Sequence, residues 1–398
     1  MAVVGSGRSV HVLVRAGAIA ARGHAVRLVT LGEVGPCQGF EVRTRSLPRS
    51  LPGAVSAARS FFQDIAGFEP DLLHLHYAGG PVGTLATLSG VRPLVATVMG
   101  GDVLPERHPG GLSRLERRAS RRILEEADLV LAKSDALRPA IARFGDFAHK
   151  TETVRWGIDP AVFHRQPEAG RRLRERLGLA DSDQAILSPR TLNAVHNIHL
   201  LVEAMPGVLA KAPRAVLLLT EQNAEAAYRA RVQERIAALG LADRVRFVGG
   251  LGHADMPALY SLAEASVAIP VADGLPQSLF EAMACGTPAV LGRLPAYAEA
   301  VENGSTALLV DFRPEAVAAA LIRLLTEPEL HASIARAAQA RVAEIALLPR
   351  EAERVEGFYR RLLAARPRPR RRLALALDAL SLVLRTGSFA RRRGSSRE

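Results

Sequence analysis

Two carboxylates flank the predicted start of a helix in the segment VADGLPQSLFEAMACGTPAV, residues 271–290. Asp273 and Glu281 have seven residues between them. We expect the helix to begin at about Ser278 and to end at Gly286, because glycine commonly follows the last helical residue. The backbone amides at its start, including that of Leu279, suit a diphosphate. The segment could therefore bind a diphosphate, with one acidic residue on either side of that site.

The same residues allow a purely structural interpretation. Ser278 and Glu281 have the spacing of a capping box, in which the two side chains satisfy backbone amides reciprocally. Asp273 could stabilise a turn. The residues alone do not favour the functional interpretation over the structural one.

The elements around this segment predict two α/β halves. Short apolar strands alternate with helical stretches from Ala2 onward, which is typical of parallel, doubly wound sheets. The pattern restarts at about residue 185. Ligands of open α/β sheets lie at the carboxyl ends of strands, so we expect the site in a cleft between two facing Rossmann-like domains. The predicted divisions are a first domain at 1–158, a linker at 159–184, a second domain at 185–350, a helix at 351–365 packing back towards the first domain, and a basic tail at 366–398.

Several segments resemble the GT-B retaining glycosyltransferases of family 4 (glycosyl transferases group 1). The acidic segment resembles the E-x7-E signature of that family, with Asp273 as the first acid and Glu281 as the second. The similarity continues, in the same order and spacing, in PDLLHLHYAGG (70–80), PLVATVMGGDVL (93–104), ADLVLAKSDAL (127–137), RWGIDPAVF (155–163), residues 244–270 and ENGSTALLV (302–310).

The resemblance implies a donor site for a UDP- or GDP-sugar in the second half, with no metal and no other cofactor. Glu281 would bind the ribose, Asp273 the donor sugar, and Arg190 the diphosphate, because a guanidinium is permanently charged and bidentate. The other residues expected on the donor side are Ser278, Leu279, Gly274, His196, Gly5 and Gly7. The acceptor would enter near Asp102, with His76, Tyr77 and Gly101 beside it.

The chain departs from the family pattern at two positions. His196 stands where a lysine is usual, and a histidine, with an unperturbed pKa near 6.5, carries only part of a charge at neutral pH. Met99 stands where a histidine often precedes the glycine–aspartate loop. Asp102 follows it, and an ordinary loop aspartate is the alternative to a catalytic one.

Other patterns receive structural interpretations. Gly5 and Gly7 lack the third glycine of a dinucleotide fingerprint, so we expect a turn facing phosphate or sugar. Asp181-Ser182-Asp183 resembles the metal-binding Asp-x-Asp motif of a different glycosyltransferase fold, but a turn is the better interpretation. The pair His74 and His76 lacks a third zinc ligand nearby. Because the chain starts almost in the first glycine turn, a wrongly assigned start codon is a further expectation, and it would leave an edge of the first sheet incomplete.

Charge is concentrated at the end of the chain. The net charge is +12, and residues 366–398 hold ten arginines against two acids, a net +8 that leaves +4 for the rest. The body therefore gives no indication of nucleic-acid binding. Leucines on one predicted helical face of the tail fit a helix lying on anionic lipid, and a solvated basic extension is the alternative. Two distant cysteines, no signal pattern and no long apolar run favour the cytoplasm, with peripheral attachment to the inner face of the membrane.

The sequence as a whole predicts a retaining hexosyltransferase that acts on a glycan or lipid-linked acceptor in cell-surface polysaccharide or glycolipid synthesis. Two alternatives remain open. One is a nucleotide-sugar epimerase of the same fold, and the other is a non-catalytic relative that only binds a nucleotide sugar.

Overall fold

The structure is a computed structural model, and it describes residues 1–46, 50–108, 110–222, 224–249 and 251–365. The chain divides into two compact units. The first contains Met1–Val154 and, of the described residues, also 349–365, and the second contains Arg155–Leu348.

The first unit is built on a seven-stranded parallel sheet with the order β3-β2-β1-β4-β5-β6-β7. Its strands are β1 (Ala2–Val4), β2 (Arg27–Leu31), β3 (Glu41–Arg45), β4 (Leu73–His76), β5 (Leu94–Val98), β6 (Leu129–Ala132) and β7 (Thr151–Thr153). Its helices are α1 (Val10–Ala20), α2 (Leu51–Ala66), α3 (Gly80–Leu88), α4 (Arg114–Glu126), α5 (Arg138–Ala142) and, after the second unit, α14 (Leu348–Ala364).

The second unit is built on a six-stranded parallel sheet with the order β10-β9-β8-β11-β12-β13. Its strands are β8 (Gln184–Ser188), β9 (Ala215–Thr220), β10 (Val245–Val248), β11 (Ala265–Ala268), β12 (Ala289–Gly292) and β13 (Leu308–Val310). Its helices are α6 (Pro167–Arg176), α7 (Ile198–Leu209), α8 (Ala226–Ala238), α9 (Met256–Leu262), α10 (Gln277–Ala284), α11 (Pro295–Ala298), α12 (Pro314–Thr326) and α13 (Pro328–Ile345).

Each sheet has a point where the strand order reverses. In the first sheet β2 and β3 lie on one side of β1, and the chain then crosses to β4 on its other side. In the second sheet β9 and β10 lie on one side of β8, and the chain then crosses to β11 on its other side. Loops after two such neighbouring strands diverge to opposite sides and leave a crevice, which is where doubly wound sheets bind ligands. Several strands are continuous apolar runs, as in β9, whose six residues are all buried. That pattern is expected for parallel strands covered by helices on both faces.

Three features of the architecture add to the sequence analysis. The segment 159–184, predicted as an interdomain linker, contains α6, which packs on α9, and the backbone amide of Gln166 donates to Ser261 Oγ at 2.9 Å. The short strand β1 lies in the middle of its sheet, paired with β2 and β4, and not at an edge. Strand β3 was missed, because its residues EVRTR alternate weakly and are half-buried or exposed.

Candidate functional site

Two loops are hydrogen-bonded to each other at the point where the strand order of the second sheet reverses. One follows β8 and the other follows β11. The amide of Val271 donates to the carbonyl of Val195 at 2.8 Å, and Nδ2 of Asn197 donates to the carbonyl of Ile269 at 3.0 Å. Asn197 has a left-handed backbone with φ of 52°, a conformation that asparagine tolerates better than most residues. These contacts set the positions of the charged side chains on both loops.

Arg190 is the centre of this cluster. Its Nη2 donates to Asp273 Oδ2 at 2.7 Å, and its Nη1 donates to Ser278 Oγ at 3.1 Å. The side chains of Arg190 and Asp273 are only 10% and 8% exposed. Among the described residues, the buried Nε of Arg190 has no hydrogen-bond partner. The structure therefore joins three of the sequence-predicted site residues around one guanidinium.

Arg190 remains charged in this buried position. Burial alone lowers the pKa of an arginine, but here the negative charge of Asp273, with contributions from Tyr297 and Tyr260, raises the pKa of Arg190 above its usual value. A buried guanidinium paired with one carboxylate is a fixed charge in a poorly solvated place, where it acts more strongly on a ligand than it would in water.

His196 contacts the same guanidinium nitrogen of Arg190, Nη2, as Asp273 does. Its Nδ1 lies 2.7 Å from the carbonyl oxygen of Thr191, and its Nε2 lies 3.1 Å from Arg190 Nη2. A carbonyl only accepts and a guanidinium only donates, so Nδ1 carries the proton and Nε2 carries a lone pair. The imidazole in this arrangement is neutral, and it does not supply the positive charge of the usual lysine.

Asp273 is also held by a residue that the sequence analysis missed. Tyr297, which is fully buried in α11, donates its hydroxyl to Asp273 Oδ2 at 3.2 Å, and the amide of Gly274 donates to Oδ1 at 2.8 Å. No motif marked Tyr297, since it lies 24 residues further along the chain on a different strand–helix connection. The carboxylate is thus fixed in place from three sides.

The capping box proposed as the structural alternative does not form. Helix α10 begins at Gln277, and its N-cap, Pro276, has no side-chain capping bond. Ser278 instead accepts from Arg190, and Glu281 Oε2 accepts from the hydroxyl of Tyr260 at 3.0 Å. The two side chains therefore make contacts other than those of a capping box.

Glu281 lies in a buried polar pair with Tyr260. Glu281 is 6% exposed and Tyr260 is fully buried. Burial, followed by the charge of Glu281 and their hydrogen bond, raises the pKa of Tyr260 well above its usual value. The phenol therefore stays protonated and orients the carboxylate. Like Tyr297, this tyrosine was not singled out from the sequence.

One of the predicted diphosphate amides is already engaged, since the amide of Leu279 donates to the carbonyl of Pro276 at 3.2 Å. The amide of Gly274, which was expected on the donor side, donates to Asp273. The role of both residues in donor binding stays a prediction. The contribution of Ser278 is unaffected.

Asp102, in the first unit, has a different environment from Asp273. It is 1% exposed, and its two oxygens accept from the amides of Ala78, Met99 and Gly100 at 2.8–3.0 Å. Burial raises the pKa of Asp102, while these backbone hydrogen bonds act in the opposite direction. A carboxylate surrounded by amides organises its loop, so the geometry favours the loop-aspartate alternative over a catalytic role.

The acceptor-side residues divide into one buried and two accessible ones. His76 is 3% exposed and stacks on His74 at a ring distance of 4.2 Å, and burial, together with the charges of His74 and Arg15, holds its pKa well below the usual value. Tyr77 is 38% exposed, and its hydroxyl donates to the carbonyl of Gly101 at 3.0 Å. His76 is therefore a neutral core residue, and Tyr77 with Gly101 remains as the candidate acceptor surface.

The two glycines after β1 are required for packing. A Cβ on Gly5 would lie 3.1 Å from Val12 Cγ1, and a Cβ on Gly7 would lie 2.9 Å from the carbonyl oxygen of Glu33. The role of these glycines in donor binding stays a prediction. Asp183, discounted above as a metal ligand, accepts from the amide of Ala180 at 2.9 Å in a turn.

The described part of the chain does not test the predicted attachment to the membrane. None of its helices has the length and apolar character needed to cross a bilayer. The basic tail at 366–398 lies outside the described residues, and its lipid-binding helix stays a prediction.

Comparison with known proteins decides the family. A model for glycosyl transferases group 1 matches residues 171–341, and one for Glycosyltransferase Family 4 matches residues 5–162. The chain belongs to the family 4 glycosyltransferases. The Family 4 match covers most of the first unit and the group 1 match lies within the second. Together they confirm the predicted family and its general activity, glycosyl transfer.

Curated relatives include two enzymes that act on inositol-containing acceptors. The GDP-mannose-dependent alpha-(1-6)-phosphatidylinositol monomannoside mannosyltransferase of Mycolicibacterium smegmatis is 31% identical over 64% of this chain and 66% of its own length. The D-inositol 3-phosphate glycosyltransferase of Acidothermus cellulolyticus is 28% identical over 74% of this chain and 68% of its own. The chain thus matches about two thirds of each relative.

Solved structures confirm the GT-B fold. Anabaena Alr3699/HepE, in complex with UDP and glucose, has a TM-score of 0.78 over 91% of this chain and 99% of its own, at 21% identity. At that identity the likeness establishes the fold alone.

Proposed function

We propose that this glycosyltransferase moves a sugar, with retention of configuration, from a UDP- or GDP-linked donor to a glycan or lipid-linked acceptor, in the synthesis of a cell-surface polysaccharide or glycolipid. The observation that carries the proposal is the buried pair of Arg190 and Asp273, 2.7 Å apart, beside Ser278 at the start of α10.

Opposite charges held this close match what glycosyl transfer requires. As the bond to the diphosphate breaks, negative charge grows on the leaving group and positive charge on the anomeric carbon. Arg190, through its remaining N–H groups, and Ser278 would bind the leaving oxygens, while Asp273 would stabilise the sugar. No residue is assigned as a nucleophile, and no metal is expected to take part.

Glu281 would bind the nucleoside. A carboxylate accepts two hydrogen bonds from a vicinal diol, so it suits the ribose hydroxyl groups. Tyr260 would keep the carboxylate of Glu281 oriented before the donor arrives.

The names of the relatives suggest where to look for substrates. GDP-mannose stands in the name of one, UDP and UDP-glucose in the titles of solved structures, and an inositol unit in both acceptors. We therefore favour an inositol-bearing or other lipid-linked acceptor. A lipid-linked acceptor would place the reaction at the inner face of the membrane, to which the basic tail would bind.

The proposal is tested by acceptor dependence. The protein is incubated with GDP-mannose or UDP-glucose, with and without a phosphatidylinositol mannoside, and the product anomer is determined by NMR. Retained configuration in an acceptor-dependent product supports the proposal. A changed sugar nucleotide formed without acceptor would indicate the epimerase, and tight donor binding without turnover would indicate the non-catalytic relative.

A further inference from the structure

The residue at the usual lysine position cannot replace the charge of that lysine in the geometry described. His196 is 5% exposed, and both of its ring nitrogens have defined partners. The partner of Nε2 is a permanent cation, Arg190, at 3.1 Å. This contact exists only while His196 is neutral and protonated at Nδ1.

We propose that His196 is a positioning residue that, in its neutral Nδ1–H form, fixes Arg190 for the donor diphosphate. The inference rests on the proposed function, because Arg190 is the group through which His196 acts. It assigns to His196 the role of a hydrogen-bond acceptor, which a lysine at this position cannot have.

The geometry shows what protonation would change. A proton on Nε2 removes the lone pair that Arg190 Nη2 uses and places two positive charges about 3 Å apart in a buried site, where such repulsion is poorly screened. Arg190 would retain its bonds to Asp273 and Ser278 and lose the third point that fixes its orientation.

The surrounding groups do not offer a substitute acceptor. The charged and titratable side chains that act on Arg190 from neighbouring elements are Asp273, Tyr297 and Tyr260. Asp273 already accepts from Arg190 and Tyr297, and Tyr260 donates to Glu281. The lone pair on Nε2 of His196 is therefore the feature that fixes Arg190 at this point.

The test measures binding of intact UDP-glucose and GDP-mannose by calorimetry at about pH 8, where an ordinary histidine is neutral. Replacing His196 by leucine removes the acceptor for Arg190 without adding a charge. We expect the donor affinity of His196→Leu to be about tenfold lower than that of the wild type, the equivalent of one lost hydrogen bond to a charged group.

Two further variants separate positioning from a general effect of substitution. In His196→Gln the side-chain oxygen can still accept from Arg190, so the affinity should be near that of the wild type. His199→Gln removes a neighbouring histidine whose Nδ1 bonds to Tyr228, and it should also bind the donor as the wild type does. Wild-type affinity in His196→Leu, or an equal loss of affinity in His196→Gln, overturns the inference.

A second measurement does not depend on a nucleotide. In protein labelled with 15N-histidine, the signals missing from His196→Gln are those of His196, and they should show the neutral tautomer with the proton on Nδ1. A proton on Nε2, or a charged ring at about pH 8, overturns the inference whatever the donor. If Arg190→Ala leaves donor binding intact, the proposed function fails. The tautomer measurement still tests the contact between His196 and Arg190, because it does not depend on a donor.

Discussion

The guanidinium of Arg190 lies 2.7 Å from the carboxylate of Asp273, although 83 residues separate them. The β8 loop supplies one and the β11 loop supplies the other, and the two strands are neighbours where the strand order reverses. The topology of a doubly wound sheet thus brings the cation for a leaving group beside the anion for a developing sugar cation.

Arg190→Lys should reduce transfer strongly although it keeps the charge. A lysine is a point charge that cannot contact Asp273, Ser278 and His196 in the planar arrangement seen for Arg190. We expect kcat to fall about a hundredfold, as for the loss of one fixed transition-state donor. Steady-state kinetics with the preferred donor measure it, and Arg229→Lys, whose partner Glu221 lies elsewhere in the same unit, is the control. Near wild-type kcat in Arg190→Lys would contradict the assignment.

Asp273→Asn should separate binding from transfer. Loss of the carboxylate leaves Arg190 with an uncompensated charge, so affinity for the free nucleoside diphosphate should rise, while transfer falls because the sugar cation loses its counter-charge. The stability of the unit should fall by about 3 kcal/mol for the broken buried pair. Calorimetry with UDP and GDP, beside transfer rates, gives both quantities. Parallel losses of diphosphate affinity and rate would show that Asp273 acts only by holding its loop.

Tyr260→Phe should weaken recognition of the ribose. The substitution removes the hydroxyl that orients Glu281 and changes little else in a buried ring. We expect the KM for the donor to rise about tenfold with a smaller change in kcat. A 2′-deoxyribose donor provides the control. The wild type should bind it more weakly than the ribose donor, whereas Glu281→Gln should bind the two donors almost equally well. A full ribose preference in Glu281→Gln would place the nucleoside elsewhere.

Asp102→Ala should affect folding more than donor binding. The amides of Ala78, Met99 and Gly100 would lose their acceptor in a buried loop, at a cost of about 3 kcal/mol in the free energy of unfolding of the first unit. Urea unfolding measures this cost, and donor affinity at low temperature should be unchanged. A stable variant with wild-type donor affinity and no transfer would restore the catalytic assignment of Asp102.

The sequence singles out the two acidic residues of the site but not the tyrosines that hydrogen-bond to them. Asp273 and Glu281 stand in one recognisable segment, so their site could be found without a structure. Tyr260 and Tyr297 lie on other elements and carry no motif, and only the sheet topology brings them to the two carboxylates. For the same reason the sequence could not show that Asp102 is enclosed by backbone amides, nor that His196 faces an arginine.

Fold prediction failed where burial is incomplete. The central strands were found from their apolar runs, as with Ala215–Thr220, while the half-exposed edge strand Glu41–Arg45 has no such run. Segment 159–184 is polar enough to suggest a linker, yet its helix packs through Leu173 and Gly170, the latter lying close against the backbone of Leu262.

The most direct test of the account is donor binding and slow donor hydrolysis across UDP-, GDP- and dTDP-sugars, with the wild type beside Arg190→Ala and Glu281→Ala. We predict that one donor is bound and slowly hydrolysed by the wild type, and that both substitutions abolish this while leaving the protein folded. If no sugar nucleotide binds the wild type, or if both variants bind it normally, the donor site is not the cluster of Arg190, Asp273 and Glu281.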